Sequence, residues 1–165
     1  MQKTWVRILT TAMTIGMMVL IFFFSTEPAI QSDSTSGRIA EKAADIVRPQ
    51  WRKMPARARK TFFDQVQYVV RKCAHFTEFM LLGITLRICL ESWMGKRRGN
   101  FGFAWAGGTF YAALDELHQL LVDGRSGQVR DVGIDSAGVL TGVLAAAGMI
   151  RLMANRKRNH SREPV

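Results

Sequence analysis

The chain has 165 residues, of which 48% are hydrophobic and 22% are charged, and its mean hydropathy is +0.02. One compact domain fits this length, but apolar and charged residues must be segregated along such a chain. The net charge of +10 favours a nucleic acid or an anionic membrane as partner. With two cysteines, a disulfide scaffold and a multi-cysteine zinc site are excluded.

The first apolar segment comprises residues 8–24, ILTTAMTIGMMVLIFFF, and carries no charge. Its 17 residues reach the lower limit for crossing a bilayer core of roughly 30 Å. Lys3 and Arg7 precede it, as in a signal peptide, but the run is longer than a typical signal core and no clear A-x-A site follows. We therefore predict a membrane-spanning helix.

Three further segments, residues 73–90, 101–122 and 132–153, are predicted to span as well. The third spans only if the membrane tolerates its acids, and the second also contains ionisable residues. A soluble helical bundle would need a polar face along every segment, which the first, third and fourth lack. We predict a single all-α integral membrane domain over residues 1–165, built as a four-helix transmembrane bundle.

Residues 25–72 form a basic loop with ten lysines or arginines between the first two predicted spans. Residues 37–47 have helical apolar spacing, and Pro49 would end that helix. Residues 57–72 place an apolar face above a basic one, which predicts an interfacial amphipathic helix feeding the second span. The same pattern fits a stretch that only anchors to anionic lipid headgroups. Residues 154–165 are predicted to be a basic tail.

The distribution of positive charge suggests an orientation. With the N-terminus inside, the cytoplasmic segments contain ten lysines or arginines, against twelve on the other side. The long basic loop carries less topological weight than the short segments. We therefore expect both termini to be cytoplasmic.

Ionisable residues concentrate at one membrane face of this topology. The end of span one, the start of span two, the end of span three and the start of span four lie together there. These places contain Glu27, Lys72, His75, Glu78, Asp115, Glu116, His118, Gln119, Asp131 and Asp135. Charged groups at membrane depth are unfavourable, so they indicate a functional site by default. The alternative is that they only pair with each other and pin the helices together.

Helical phase predicts that these charges point inward. His118, Asp115, Tyr111, Gly108 and Ala104 share one stripe of span three. On span four the stripe consists of Asp131, Asp135, Gly138 and Gly142. Since small residues let membrane helices approach closely, both stripes are expected to face other helices.

Four sequence stretches resemble the VanZ-like family of bacterial membrane proteins. They are RKCAHFTEF (residues 71–79), YAALDELHQLLVDGRSGQVRD (111–131), DVGIDSAGVLTG (131–142) and FFFSTEP (22–28). The chain departs from the family pattern at Asp123, where a proline is frequent, and at Asp135, where an asparagine is common.

The resemblance implies a multi-pass plasma-membrane protein whose name-giving relative lowers sensitivity to teicoplanin, with no established reaction to carry over. By motif position it points to Lys72, His75, Glu78, Asp115, Glu116, His118, Gln119, Arg125 and Asp131.

Two function classes remain open. In the first, a membrane factor uses Arg71, Lys72 and Arg125 to bind an anionic membrane lipid or a lipid-linked envelope precursor and thereby affects teicoplanin sensitivity. Its ligand site comprises Lys72, His75, Glu78, Gln119, Arg125, Asp131 and Asp135. Arg125 lies in a turn with Asp123, Gly124 and Gly127, suited to presenting a guanidinium to a phosphate.

In the second class, the same pocket is the active site of an intramembrane hydrolase or transferase for a lipid-linked substrate. The i,i+3 pairs His75–Glu78 and Asp115–His118 have metal-ligating spacing, and Asp131 or Asp135 would complete the shell. Without metal, His118 oriented by Asp115 or Glu116 would be the general base.

No H-E-x-x-H, G-x-S-x-G or P-loop motif supports a known enzyme class. Nucleic-acid binding is not expected, because the lysines and arginines cluster at span ends. The cofactor, the metal and the oligomeric state stay open.

Overall fold

The computed structural model describes residues 2–27, 29–125 and 127–160, and this part of the chain is helical without strands. The helices are α1 (Gln2–Thr26), α2 (Ala29–Val47), α3 (Ala56–Met94), α4 (Gly99–Gln119) and α5 (Val129–His160). A single 3-10 turn, Trp51–Lys53, joins α2 to α3 in the described residues. The predicted all-α architecture is confirmed.

Three of the described helices are long and apolar enough to cross a membrane. These are α1 over Lys3–Thr26, α3 over Ala56–Met94 and α5 over Val129–Arg156. α4 is not among them: its 21 residues are long enough, but the polar residues after Leu114 lower its mean hydropathy. The helix α4 ends at Gln119, whereas the predicted third span, residues 101–122, continues to Val122. Leu121 and Val122 instead donate backbone hydrogen bonds to His118 and Gln119 in a turn.

The basic segment after α1 folds as a helical hairpin. Its first arm is α2, which begins eight residues before the predicted position 37 and ends at Val47, two residues before Pro49. Its second arm is the start of α3, which runs without a break into the predicted second span. The continuity has a sequence reason, because no glycine or proline occurs between Pro55 and Gly83.

Specific contacts hold the two arms of the hairpin together. Gln67 of α3 donates a hydrogen bond to Ser36 of α2 at 3.1 Å. At the tip, the Trp51 ring stacks on Phe63 with centroids 5.5 Å apart, and its indole donates to Asp45 at 2.7 Å. The Arg52 guanidinium also donates to Asp45 and holds the pKa of that carboxyl below its usual range.

α3 is the central helix, since α1, α2, α4 and α5 all pack against it. The buried apolar core is contributed by α1, α3, α4 and α5: Ile21, Phe79, Leu82, Ala104, Ala112, Val139 and Val143. The outer faces are apolar too, with Leu9 and Phe23 of α1 more than 60% exposed. Such a surface fits lipid better than water.

Close contact between the backbones of α3 and α5 is possible only with glycine. A Cβ at Gly138 or Gly142 of α5 would overlap the carbonyl oxygens of Phe76 and Met80 respectively. A Cβ at Gly83 of α3 would overlap the Val139 carbonyl. The small-residue stripe of α5 therefore faces another helix, as its sequence spacing predicts.

We expect Gly142→Ala to destabilise the protein by about 1–3 kcal/mol, because the added methyl must push α5 away from α3. The matched control is Gly148→Ala on the same helix, where a Cβ has no neighbour within 4 Å. There, alanine should stabilise the helix by up to about 1 kcal/mol. Thermal or chemical denaturation in detergent measures both, and a shift of the same sign in the two variants would contradict the close contact.

Candidate functional site

Polar side chains from four helices meet at one end of the packed helices. The ends of α1 and α4, the middle of α3 and the start of α5 come together there. The most deeply buried members are Ser25, Asp115, Glu116, Gln119, Asp131 and Asp135, each at most 6% exposed. The structure thus brings together the residues that the sequence places at one membrane face. We call them, with Lys72, His75, Glu78, His118 and Arg125, the polar cluster.

Asp115 is the centre of a buried hydrogen-bond network between α1 and α4. The Ser25 hydroxyl donates to Asp115 Oδ2 at 2.8 Å, and Gln119 Nε2 donates to the same oxygen at 3.0 Å. Gln119 also donates to Ser25 Oγ at 3.2 Å. These bonds compensate the burial of the Asp115 side chain and fix the end of α1 against α4.

Two further contacts fix the start of α5. Glu116 Oε2 accepts a 2.9 Å hydrogen bond from the backbone N–H of Gln128, just before the first residue of α5. A carboxylate there is also favoured by the partial positive charge at the start of a helix. Lys72 of α3 forms a salt bridge of 2.5 Å with Asp131 Oδ2 in the first turn of α5.

Arg125 fastens the turn between α4 and α5 to the end of α1. Its Nε donates to the Glu27 carbonyl at 2.9 Å, and one terminal nitrogen donates to the Phe24 carbonyl at 3.1 Å. It thus satisfies carbonyls that the last turn of α1 leaves without a helical partner. Burial lowers the pKa of this guanidinium, yet arginine stays protonated at neutral pH. Its charge also acts on His75, Glu78 and Asp115, which lie nearby.

Several buried atoms of the polar cluster have no hydrogen-bond partner within the described part of the chain. They are His75 Nδ1 on α3, His118 Nε2 on α4, and Asp131 Oδ1 and Asp135 Oδ2 on α5. A buried polar atom without a partner destabilises a protein by about 1–3 kcal/mol. Four such atoms in one region therefore indicate that water or a ligand supplies the missing hydrogen-bond partners.

The predicted catalytic arrangements lack their key contacts. Over the described residues, no hydrogen bond joins His118 to Asp115 or Glu116, whose carboxylates bind Ser25 and Gln119 or the Gln128 N–H instead. The His118 ring packs against Phe22, with centroids 4.7 Å apart. No three His, Cys, Asp or Glu side chains among the described residues form a metal-ligating group. The i,i+3 pairs thus do not converge as the metal hypothesis requires.

Sequence analysis did not select Ser25 as a site residue. Its signal is weak, because one serine at the end of an apolar run also fits a simple helix terminus. The resemblance in residues 22–28 includes it without assigning a partner. Only the packing of α1 on α4 brings it to Asp115.

We expect Ser25→Ala to lower the free energy of unfolding by about 1–3 kcal/mol, because Asp115 then loses one of its two buried donors. Thr141→Ala is the control, since the exposed Thr141 hydroxyl only donates to Ala137 in its own helix. That change should stay within about 0.5 kcal/mol. Denaturation of the purified variants measures the difference, and equal stabilities would mean that the network contributes nothing.

Comparison with known proteins gives one finding. A family model described as VanZ/LLP1 matches residues 10–151. No curated protein and no solved structure gave a significant match. The matched region contains α2, α3 and α4 completely, most of α1 and α5, and every residue of the polar cluster. The chain belongs to the VanZ/LLP1 family, and its apolar helices fit a membrane protein of that family.

Proposed function

We propose that this protein is a multi-pass protein of the bacterial plasma membrane that binds a lipid-linked cell-envelope precursor, or a related anionic lipid, at the polar cluster. In this proposal α1, α3, α4 and α5 all span the bilayer as a four-helix bundle. Both termini are cytoplasmic, and the basic hairpin and the polar cluster lie at the outer leaflet. An effect on teicoplanin sensitivity would follow from contact with the precursor.

The exposed surface and the length of α4 support it as the fourth span. Its 21 residues extend about 31 Å at 1.5 Å per residue, close to the thickness of a bilayer core. Its buried polar residues Asp115, Glu116 and Gln119 face other helices. The exposed residues of α4 include large apolar side chains: Phe103, Trp105, Phe110, Leu114 and Leu117.

The observation that carries the binding proposal is the group of buried polar atoms without partners. Two of them, Asp131 Oδ1 and Asp135 Oδ2, are carboxylate oxygens that accept hydrogen bonds, and the imidazoles of His75 and His118 can donate or accept. A matching ligand therefore presents several donors, as sugar hydroxyls and amides do. The nearby charges of Arg71, Lys72 and Arg125 suit the phosphate of the same molecule.

The geometry supports binding more than catalysis. A general base needs a partner that orients its proton, and a hydrolytic metal needs at least three ligands. Among the described residues, neither arrangement is assembled around His118. We therefore propose no reaction.

Two variants test binding without depending on loss of fold. His118→Phe keeps the contact with the Phe22 ring and removes the nitrogens, and Asp135→Asn keeps the shape and removes the charge. Since His118 Nε2 and Asp135 Oδ2 are buried without a partner among the described residues, we expect melting temperatures equal to or above that of the unaltered protein. The precursor that co-purifies with the unaltered protein should nevertheless fall to background by mass spectrometry of extracted lipids.

Asp64→Asn, an exposed change on the hairpin, is the matched control and should keep the full amount of bound precursor. The variants are then expressed in a susceptible Gram-positive host, with equal amounts of each protein in the membrane. Variants that lose bound precursor should also lose the effect on teicoplanin sensitivity. Undiminished binding by both variants would overturn the site. Binding lost only in proportion to stability would mean that the polar cluster merely holds helices together.

Reporter fusions test the orientation. Fusions at residues 96–99 and after residue 162 should be cytoplasmic, and fusions at residues 123–127 should be external. The reverse pattern would overturn the orientation. Internal fusions at both residues 96–99 and residues 123–127 would overturn α4 as a span.

A further inference from the structure

A second feature with the chemistry of a lipid site lies outside the polar cluster, on the outer surface between α3 and α5. It is a groove of about 390 Å³, lined mainly by Tyr68, Lys72, Cys73, Phe76, Arg130 and Ile134. Cys73 and Arg130 are exposed, so the groove is open on the side away from the core. We call it the α3–α5 groove.

One end of the groove is cationic. Arg130, in the first turn of α5, is exposed and has no hydrogen bond or ion pair with any other described residue. Lys72 lies over the Tyr68 ring, 5.4 Å from its centroid, and bonds Asp131. Since Asp131 balances only one of the two cations, a positive charge remains at this end.

The other end of the groove is apolar. Phe76 and Ile134 lie four residues after Lys72 and Arg130 on their helices, which corresponds to about 6 Å along each axis. The groove thus passes from two cations to apolar walls over one helical turn. This is the order of a phosphate and the first carbons of an acyl chain in a bilayer leaflet.

We propose that the α3–α5 groove binds an anionic phospholipid, with its phosphate at Arg130 and Lys72 and one acyl chain against Phe76 and Ile134. Charge complementarity selects this occupant. A free anion makes no use of the apolar walls, and a zwitterionic lipid brings a cation beside its phosphate, so it leaves the net positive charge of the groove unbalanced. The inference rests on the proposed function only in placing this surface in a bilayer, because the groove lies outside the polar cluster apart from Lys72.

The exposed thiol of Cys73 makes the groove accessible to experiment. In a Cys89→Ser protein, Cys73 is the single remaining thiol. Cys89 contacts Thr11 and lies 16 residues further along α3, about 24 Å away. The rate of Cys73 alkylation by a maleimide in neutral detergent then reports occupancy of the groove.

We expect phosphatidylglycerol doped into the micelles to slow alkylation about fivefold at four-fifths occupancy. Phosphatidylcholine at the same mole fraction, and inorganic phosphate alone, should change the rate less than about twofold. If phosphatidylcholine protects Cys73 as well as phosphatidylglycerol does, the groove binds lipid without selecting its charge. Protection by inorganic phosphate alone would make it an anion site without lipid, and either result overturns the proposal.

Arg130→Gln should abolish the protection by phosphatidylglycerol, and Arg130→Lys should restore part of it. Because Arg130 is exposed and without a partner among the described residues, its variants should fold normally, which the melting temperature checks. Arg151→Gln, an exposed change near the far end of α5, is the control and should keep full protection. Full protection in Arg130→Gln would overturn the site.

His118→Phe separates this proposal from the proposed function. It alters the polar cluster and leaves the groove intact, so protection of Cys73 should persist. If Cys73 stays protected in His118→Phe and this variant still binds the precursor, the polar cluster is overturned as a binding site and the groove proposal stands. Full protection in Arg130→Gln, or phosphatidylcholine as effective as phosphatidylglycerol on the unaltered chain, together with precursor binding that is lost in His118→Phe, would overturn the groove alone.

Discussion

The backbone contact between α3 and α5 is the constraint on which the polar cluster depends. Gly138 and Gly142 bring α5 against the carbonyls of Phe76 and Met80. Asp131 and Asp135 lie two turns and one turn before Gly138 on the same face, so this approach brings Asp131 to Lys72 and buries both carboxylates. The glycines therefore position these charges by letting α3 and α5 approach closely. A wider separation of the two helices would leave Asp131 beyond the reach of Lys72.

The charges of the polar cluster divide into two groups with different physical roles. Asp115, Glu116 and Arg125 are hydrogen-bonded to Ser25, Gln119 and backbone groups, and they join α1, α4 and α5. Buried charges of this kind are tolerated because their hydrogen bonds replace lost hydration. His75, His118 and Asp135 each keep a buried atom without such a bond in the described structure. The first group is explained by its role in holding the helices together. The second group is not, and it is the reason to propose a ligand.

The polar cluster and the α3–α5 groove share one residue, Lys72. Its ammonium bonds Asp131 inside and lines the groove outside. Because a lysine carries one charge at the end of a flexible stem, a phosphate in the groove would compete with Asp131 for it. Asp131 already has one oxygen without a partner. Occupancy of the groove would thus change the charge balance of the polar cluster, which gives the two proposed sites a physical connection.

The sequence by itself determined the helices, the family resemblance and the inward stripes of α4 and α5. These follow from local periodicity and from charges too unfavourable to face lipid. It also placed the polar residues at one end, since helix order fixes which termini lie together. Only the tertiary structure decided which side chains and carbonyls form hydrogen bonds with each other. Ser25 meets Asp115 across 90 positions and Arg125 meets Glu27 across 98, and such pairs depend on helix rotation and distance. The hairpin likewise required tertiary packing, because most of the stability of a helix in a protein comes from its contacts, and α2 packs against α3.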